Sequence, residues 1–298
     1  MDDRAPDTVH GIAAPLLAVD APSLLYRAFF ALPGSITDAD GHPVNALLGC
    51  TNLVLQAVER YAPRAVVLCF GAEAATYRVE LHEGYHADRP PMPDELAWQW
   101  ERAPAFFATF RWETLDAGEL EADDLLGSLA QAEVAAGGSA LLFTGDRDMF
   151  QCVGADVAVL FPKSGSKDGP ELVDVVGVNE RYGIEPAQVP DFIALRGDPS
   201  DGIPGAKGIG EKTARDLLRE FGTLEGAIAN ALAQSPRVRA ALHGQADELR
   251  AFRHMATLQP VPIERPPDRP TDFAAAAGAA EDLGMRRLGE RLRALAKA

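Results

Sequence analysis

The sequence predicts an α/β fold with a mainly parallel central sheet flanked by helices, and three observations predict it. Short apolar runs bounded by polar or turn residues stand at 16–20, 65–70, 139–145 and 157–161. Segments with helical spacing separate them. Acids gather where these runs end or a helix begins, at the strand ends where such sheets collect ligands.

In chain order, LLAVD is a buried strand ending on Asp20. NALLGCTNLVLQAVERY (45–61) has the length and spacing of a helix, and AVVLCF (65–70) is the next strand. From 71 to 110 the chain mixes aromatics, arginines and prolines, a long excursion of the kind that carries function. EADDLL opens a helix running from about Glu121 to Ala136, with Leu125, Leu126, Leu129 and Ala130 at helical spacing. LLFTGDRD (141–148) carries a strand into Asp146 and Asp148. Past Pro186 a helix to about Leu195 leads into RGDPSDGIPGAKGIGEKTA (196–214), and RDLLREFG is a helix closed by Gly222. RPPDRP (265–270) reads as a linker before an alanine- and arginine-rich tail.

With 298 residues, 47% of them apolar, the chain has material for one large domain and a smaller appended one. The first fifteen residues hold no apolar core of signal-peptide length, and no later run approaches a membrane span. A cytoplasmic protein with no membrane partner is expected. Cys50, Cys69 and Cys152 are widely separated and form no CxxC pair, so they are expected to be core thiols.

The acids carry the chemistry. Glu121 and Asp124 lie three apart on one helical face with Asp123 beside them, an arrangement that also suits capping and the helix dipole. Asp146 and Asp148 follow a buried strand, and Asp198 and Asp201 are spaced to reach a common ion. Like charges about 4 Å apart at an effective dielectric near 20 repel by roughly 4 kcal/mol. Convergent carboxylates therefore need divalent cations, Mg²⁺ or Mn²⁺, and the pattern points to a metal site that cuts nucleic acid. The net charge of −16 counts against a phosphate binder. Bound metal would offset these seven acids and Asp20, and two of the five lysines, Lys207 and Lys212, lie close together. Gly202, Gly205, Gly208 and Gly210 free the backbone around them for tight turns before a helix whose first amides can receive a phosphate. The segment nearly spells the phosphate-binding loop of nucleotide hydrolases, but Glu211 interrupts it and no strand precedes it.

This ordered set of segments, to about residue 260, resembles the flap endonuclease and 5′-3′ exonuclease family, including the N-terminal nuclease domain of bacterial DNA polymerase I. The resemblance implies a PIN-like 5′-nuclease core at 1–185 with a helical arch at 72–110. It further implies a helix-3-turn-helix DNA-binding module at 186–264 and a tail at 265–298 packing on the core. By that resemblance Asp20, Glu121 and Asp123 belong to one metal site, and Asp146, Asp148, Asp198 and Asp201 to a second. Asp124 supports the ligands from behind or holds a further ion. TYRVELHEGYHADRPPMPDEL resembles the arch, which places Arg78, Tyr85 and Arg89 against the scissile phosphate and the unpaired 5′ end. Gly205, Lys207, Gly208, Gly210, Lys212 and Thr213 fall where the module holds duplex DNA, with a monovalent cation there as a further implication.

Two residues depart from the family pattern: Gly71 stands where an aspartate is usual, with Glu73 as a partial substitute, and His86 replaces an arch lysine. Tyr26 and Arg27 lie near Asp20 in sequence and are expected to face the site; Tyr77 is expected in the core. The expected activity is two-metal hydrolysis of DNA at a 5′ flap, nick or free 5′ end, in replication and repair, by a monomer. The alternatives are a catalytically weakened flap-DNA-binding protein and a nuclease directed at RNA primers or hybrids.

Overall fold

The computed structural model describes residues 14–163 and 169–297. The reading of the first fifteen residues falls almost wholly outside that range. Six strands form one sheet: β1 (Leu16–Asp20), β2 (Ala65–Phe70), β3 (Glu113–Asp116), β4 (Ala140–Phe143), β5 (Val157–Phe161) and β6 (Glu171–Val173). Their spatial order is β3-β2-β1-β4-β5-β6, with every neighbouring pair parallel except β5 and β6. β1 lies in the middle, paired with β2 on one side and β4 on the other. The chain order therefore reverses at β1, and the carboxyl end of the sheet opens a crevice there.

β2, and β1 up to its terminal Asp20, are apolar because both faces of the sheet are covered. Leu16 and Ala18 enter one buried cluster, Leu17 and Val19 the other. Helices α1 (Ala21–Ala31) and α2 (Asn45–Tyr61) cover the Leu17 face; α2 coincides with its sequence expectation. The excursion after β2 contains α3 (Thr76–Leu81) and, after PPMP, α4 (Asp94–Ala108). Helix α5 (Ala122–Ala135) packs on the opposite face through Leu125, Leu126 and Leu129.

β3 and β6 were not expected. β3 is a half-buried edge strand of sequence ETLD, and β6 has three residues, so neither presents an apolar run. The fourth strand also stops earlier than expected, at Phe143; just beyond it the Thr144 hydroxyl donates to Asp20.

Beyond β6 the chain is helical: α6 (Val175–Tyr182), α7 (Val189–Arg196), α8 (Glu211–Phe221), α9 (Leu224–Ala229), α10 (Pro236–Gly244) and α11 (Ala246–Ala256). Helices α7 to α11 join the cluster that contains α5. The stretch expected to be a linker is instead tied down. Arg64 donates to the carbonyl of Pro266 at 2.7 Å and pairs with buried Glu133, while Arg265 also reaches Glu133. The backbone N–H groups of Arg269 and Asp272 donate to the carbonyls of Arg64 and Phe110. Helices α12 (Phe273–Asp282) and α13 (Arg286–Leu295) then lay Ala276, Ala280, Leu288 and Leu292 into the Leu17 face.

Candidate metal centre and nucleic-acid interface

Three acids converge at the crevice. One carboxylate oxygen from each of Asp123, Asp146 and Asp148 lies within 4.8 Å of the others. Asp123 comes from the first turn of α5, Asp146 from the loop after β4, and Asp148 from the start of the 3-10 turn that follows that loop. An oxygen of Asp123 and one of Asp148 are buried with no hydrogen-bond partner. Burial, reinforced by the neighbouring acids, holds the Asp123 and Asp148 carboxyls well above the usual range. Burial raises Asp146 to about 6, with Asp201 the strongest of the like charges acting on it. Orphaned oxygens and crowded like charge are what a hard divalent cation would satisfy, so the donor set fits such an ion.

Asp20 stands beside this group at the end of β1 and caps α1. It accepts from the Ser23 N–H at 2.9 Å and from the Thr144 hydroxyl at 2.6 Å. Its carboxyl is also raised, by burial. Thr144 in turn accepts from the Asp146 N–H at 3.0 Å, so one hydroxyl links the two strand ends. Thr144 and Ser23 were not singled out from sequence; the TGD spelling after a strand was the available signal.

Glu121 and Asp124 do not join the group. They form a reciprocal capping box at the start of α5. The Glu121 carboxylate accepts from the Ala75 N–H and the Tyr85 hydroxyl, at 2.8 and 2.9 Å. Asp124 is fully buried; it accepts two bonds of 2.8 Å from Arg78 and one of 2.7 Å from the Gln259 N–H. Arg78 is not placed for a phosphate: it is 2% exposed, and its remaining Nε donates to the carbonyl of Met255. Tyr85 is 6% exposed and stacks on His86, so no face of it is displayed for a base.

Asp198 and Asp201 flank the crevice opposite Asp146, each 7% exposed. Asp198 accepts from the Ser200 N–H and hydroxyl and from Arg196; Asp201 accepts from Arg89, whose side chain is 40% exposed. The two acids sit on a loop pinched by the Asp198–Ile203 bridge. Gly202, at φ 75°, lets that loop pass against the segment after α3, since a Cβ there would lie 2.2 Å from the Gly84 carbonyl oxygen. An open cleft of about 620 Å³ runs past Asp146 and Asp198, lined also by Arg147, Arg196 and Phe161.

Position 71 is closed. A Cβ on Gly71 would lie 2.6 Å from the Leu120 carbonyl oxygen and 2.7 Å from the Ala122 nitrogen, both backbone atoms. Glu73 does not substitute, because its side chain is exposed. Tyr26 is half-buried, with Glu73 and Arg89 as charged neighbours. Tyr77 is likewise half-buried, under the Arg78 guanidinium, rather than in the core.

Farther out, Lys207, Gly208, Gly210 and Lys212 are exposed where the chain enters α8, Gly205 is buried beneath them, and Thr213 is half-buried. The Lys207 N–H donates to the Gln245 side chain. Cys50 and Cys69 are buried, Cys152 is half-buried, and none forms a disulfide.

Residues 15–183 match the family of 5′-3′ exonuclease N-terminal, resolvase-like domains, and residues 184–276 match the 5′-3′ exonuclease C-terminal SAM fold. The chain is 34% identical to DNA polymerase I of Mycobacterium tuberculosis over 297 residues, covering 98% of this chain and 32% of the polymerase. It is 37% identical to the thermostable DNA polymerase I of Thermus thermophilus over 262 residues, 85% of this chain and 31% of that one. It thus spans about a third of those polymerases. T5 5′-exonuclease, solved with zinc ions bound, superposes with a TM-score of 0.68 at 16% identity, over 95% of this chain and 99% of that one. The catalytic core of Rad2 in complex with DNA substrate gives 0.61 at 13% identity, over 95% and 92%. The acids collected at the carboxyl edge of a mainly parallel sheet thus sit in a chain that belongs to the 5′-3′ exonuclease family.

Proposed function

We propose that this protein is a structure-specific 5′ nuclease that hydrolyses DNA phosphodiester bonds at a 5′ flap, nick or free 5′ end and leaves a 5′-phosphate. The observation that carries this is the Asp123, Asp146 and Asp148 group with its two orphaned oxygens, in a member of this family. Two divalent cations, Mg²⁺ or Mn²⁺, would there supply an attacking water of lowered pKa and charge stabilisation for the leaving oxygen. Asp123, Asp146 and Asp148 would hold one, with Asp20 positioned by Thr144 and Ser23. Asp198 and Asp201 would complete the second together with Asp146. Arg78, Asp124, Glu121 and Tyr85 lock the base of the arch onto α5 and so position Asp123. Arg89 at the mouth and Lys207 and Lys212 on the glycine-rich loop would meet phosphates, with backbone contacts that read shape rather than bases.

We assign the nuclease core to 1–185, the DNA-binding module to 186–264 and the packed tail to 265–298. A monovalent cation on the 205–210 backbone, a monomeric state, a cytoplasmic location and a role in replication and repair belong to the same reading, to which a nuclease directed at RNA primers or hybrids is an alternative. Among the described residues no helix is long and apolar enough to cross a membrane.

Cleavage of an end-labelled 5′-flap duplex in Mg²⁺ or Mn²⁺ tests the proposal. Wild type yields a 5′-phosphorylated product, and Asp148→Ala falls by at least about a hundredfold; equal rates would overturn the ligand role. Closed position 71 favours one rival, a flap-binding protein that does not cut. That rival binds flaps in Ca²⁺ and gives no product in any divalent ion.

A further inference from the structure

Asp148 is held through its main chain. One oxygen of its carboxylate is buried with no hydrogen-bond partner, while its N–H donates to Asp146 at 3.2 Å and its carbonyl accepts from the Gln151 Nε2 at 2.9 Å. Asp148 opens the 3-10 turn Asp148–Cys152, so the bond from Gln151 closes that turn behind the acid. Gln151 is half-buried, and both ends of its amide are used. Nε2 donates a second time, to the carbonyl of Ala256 at 2.9 Å, and Oε1 accepts from the Leu258 N–H at 3.3 Å. Two carbonyls that only accept and one N–H that only donates fix which way round the amide sits.

The end of α11 and the residues after it, 255–261, are stitched to the core at other points too. The Met255 carbonyl accepts from Arg78, the Gln259 N–H donates to Asp124, and the Val261 N–H donates to the Ser128 hydroxyl. Those ties reach α3 and α5; of the whole set, only the one through Gln151 ends on a member of the Asp123, Asp146 and Asp148 group. A carboxylate with an orphaned oxygen takes its direction from the groups behind it, and losing such support costs metal affinity. Resting on the two-metal reading above, we infer that Gln151 is a positioning residue: it fastens Asp148 to the end of α11 and so presents the orphaned oxygen to the cation. It acts through the main chain of Asp148 and offers the ion no atom of its own.

The test is Mn²⁺ titrated by calorimetry into the metal-free full chain. Every protein compared carries Asp38→Ala and Asp40→Ala, so that the separate Asp38, Asp40 and His42 group takes none of the ion. Gln151→Leu, close in size but without an amide, lowers Mn²⁺ affinity at the centre by about tenfold. Ser128→Ala cuts a different tie of the same segment; it lowers the urea midpoint and leaves Mn²⁺ affinity unchanged. If Gln151→Leu also lowered only the midpoint, or if both variants lost Mn²⁺ affinity equally, Gln151 would be structural; either result overturns the inference and leaves the nuclease reading intact. A second readout needs no change at 151. Hydrogen exchange at the Leu258 amide slows when Mn²⁺ binds, because an ion that fixes Asp148 also fixes the side chain to which Leu258 donates, whereas the Val261 amide keeps its rate. An unchanged Leu258 rate would overturn the inference as well. Failure of the parent protein to bind Mn²⁺ at all would overturn both this inference and the nuclease reading.

Discussion

A single missing side chain shapes the centre. Gly71 follows β2 directly, and the backbone of residues 120–122 occupies the volume that a side chain at 71 would need. The site is therefore built without an acid there. Gly71→Asp is expected to lower stability by at least about 2 kcal/mol through overpacking against backbone that cannot swing aside, and to reduce rather than raise flap cleavage. Urea denaturation and a cleavage assay on the same preparation check this; an unchanged midpoint with faster cleavage would contradict the closed geometry. The neighbouring acids show the same dependence on local direction. Of the three carboxylates at the N-cap and in the first turn of α5, the capping box turns Glu121 and Asp124 away and leaves Asp123 to face Asp146 and Asp148.

α3 and α5 act as one unit through Arg78. Its paired bonds to Asp124 lie out of water, so Arg78→Ala leaves a buried carboxylate unpaired. That change is expected to cost about 3–5 kcal/mol, seen as a lower urea midpoint, with weaker cleavage following from a loosened Asp123. Had Arg78 served the phosphate instead, the midpoint would hold while activity fell. This unit was not legible in the sequence. Arg78 and Asp124 are 46 residues apart, and the carbonyl that fixes the guanidinium comes from Met255, 177 residues away. The buried strands were legible because two covered faces demand unbroken apolar runs, and α2 because its stripe repeats over seventeen residues. β3 and β6 escaped notice because they are short or half-covered and bury too little to impose a pattern. The acids of the centre announced themselves as residue types at strand ends. Which of them face inward depends on caps and distant partners.

At the scale of the whole molecule the carboxylates set how stability follows pH. Asp146 titrates near 6 in the fold against 3.8 for an ordinary aspartate, and Asp123 and Asp148 are raised as well. As pH rises from about 4 to 6 the unfolded chain releases protons that the folded Asp146 retains, so the metal-free protein loses stability across that window. Divalent cations bind the deprotonated form, so they should raise the melting temperature more at pH 7.5 than at pH 5. Thermal melts with and without Mn²⁺ at the two values decide it; an equal shift would mean that the ions do not sit on these acids. The ties of residues 264–272 bear on assembly rather than chemistry. They join partners as far as 204 residues apart, and α12 and α13 seal the Leu17 face only after that strap is laid down. While the chain emerges from the ribosome, the part of that oily side that α12 and α13 cover stays bare until residues 273–295 have been made. Over that interval the nascent protein depends on chaperones or on haste to avoid clumping.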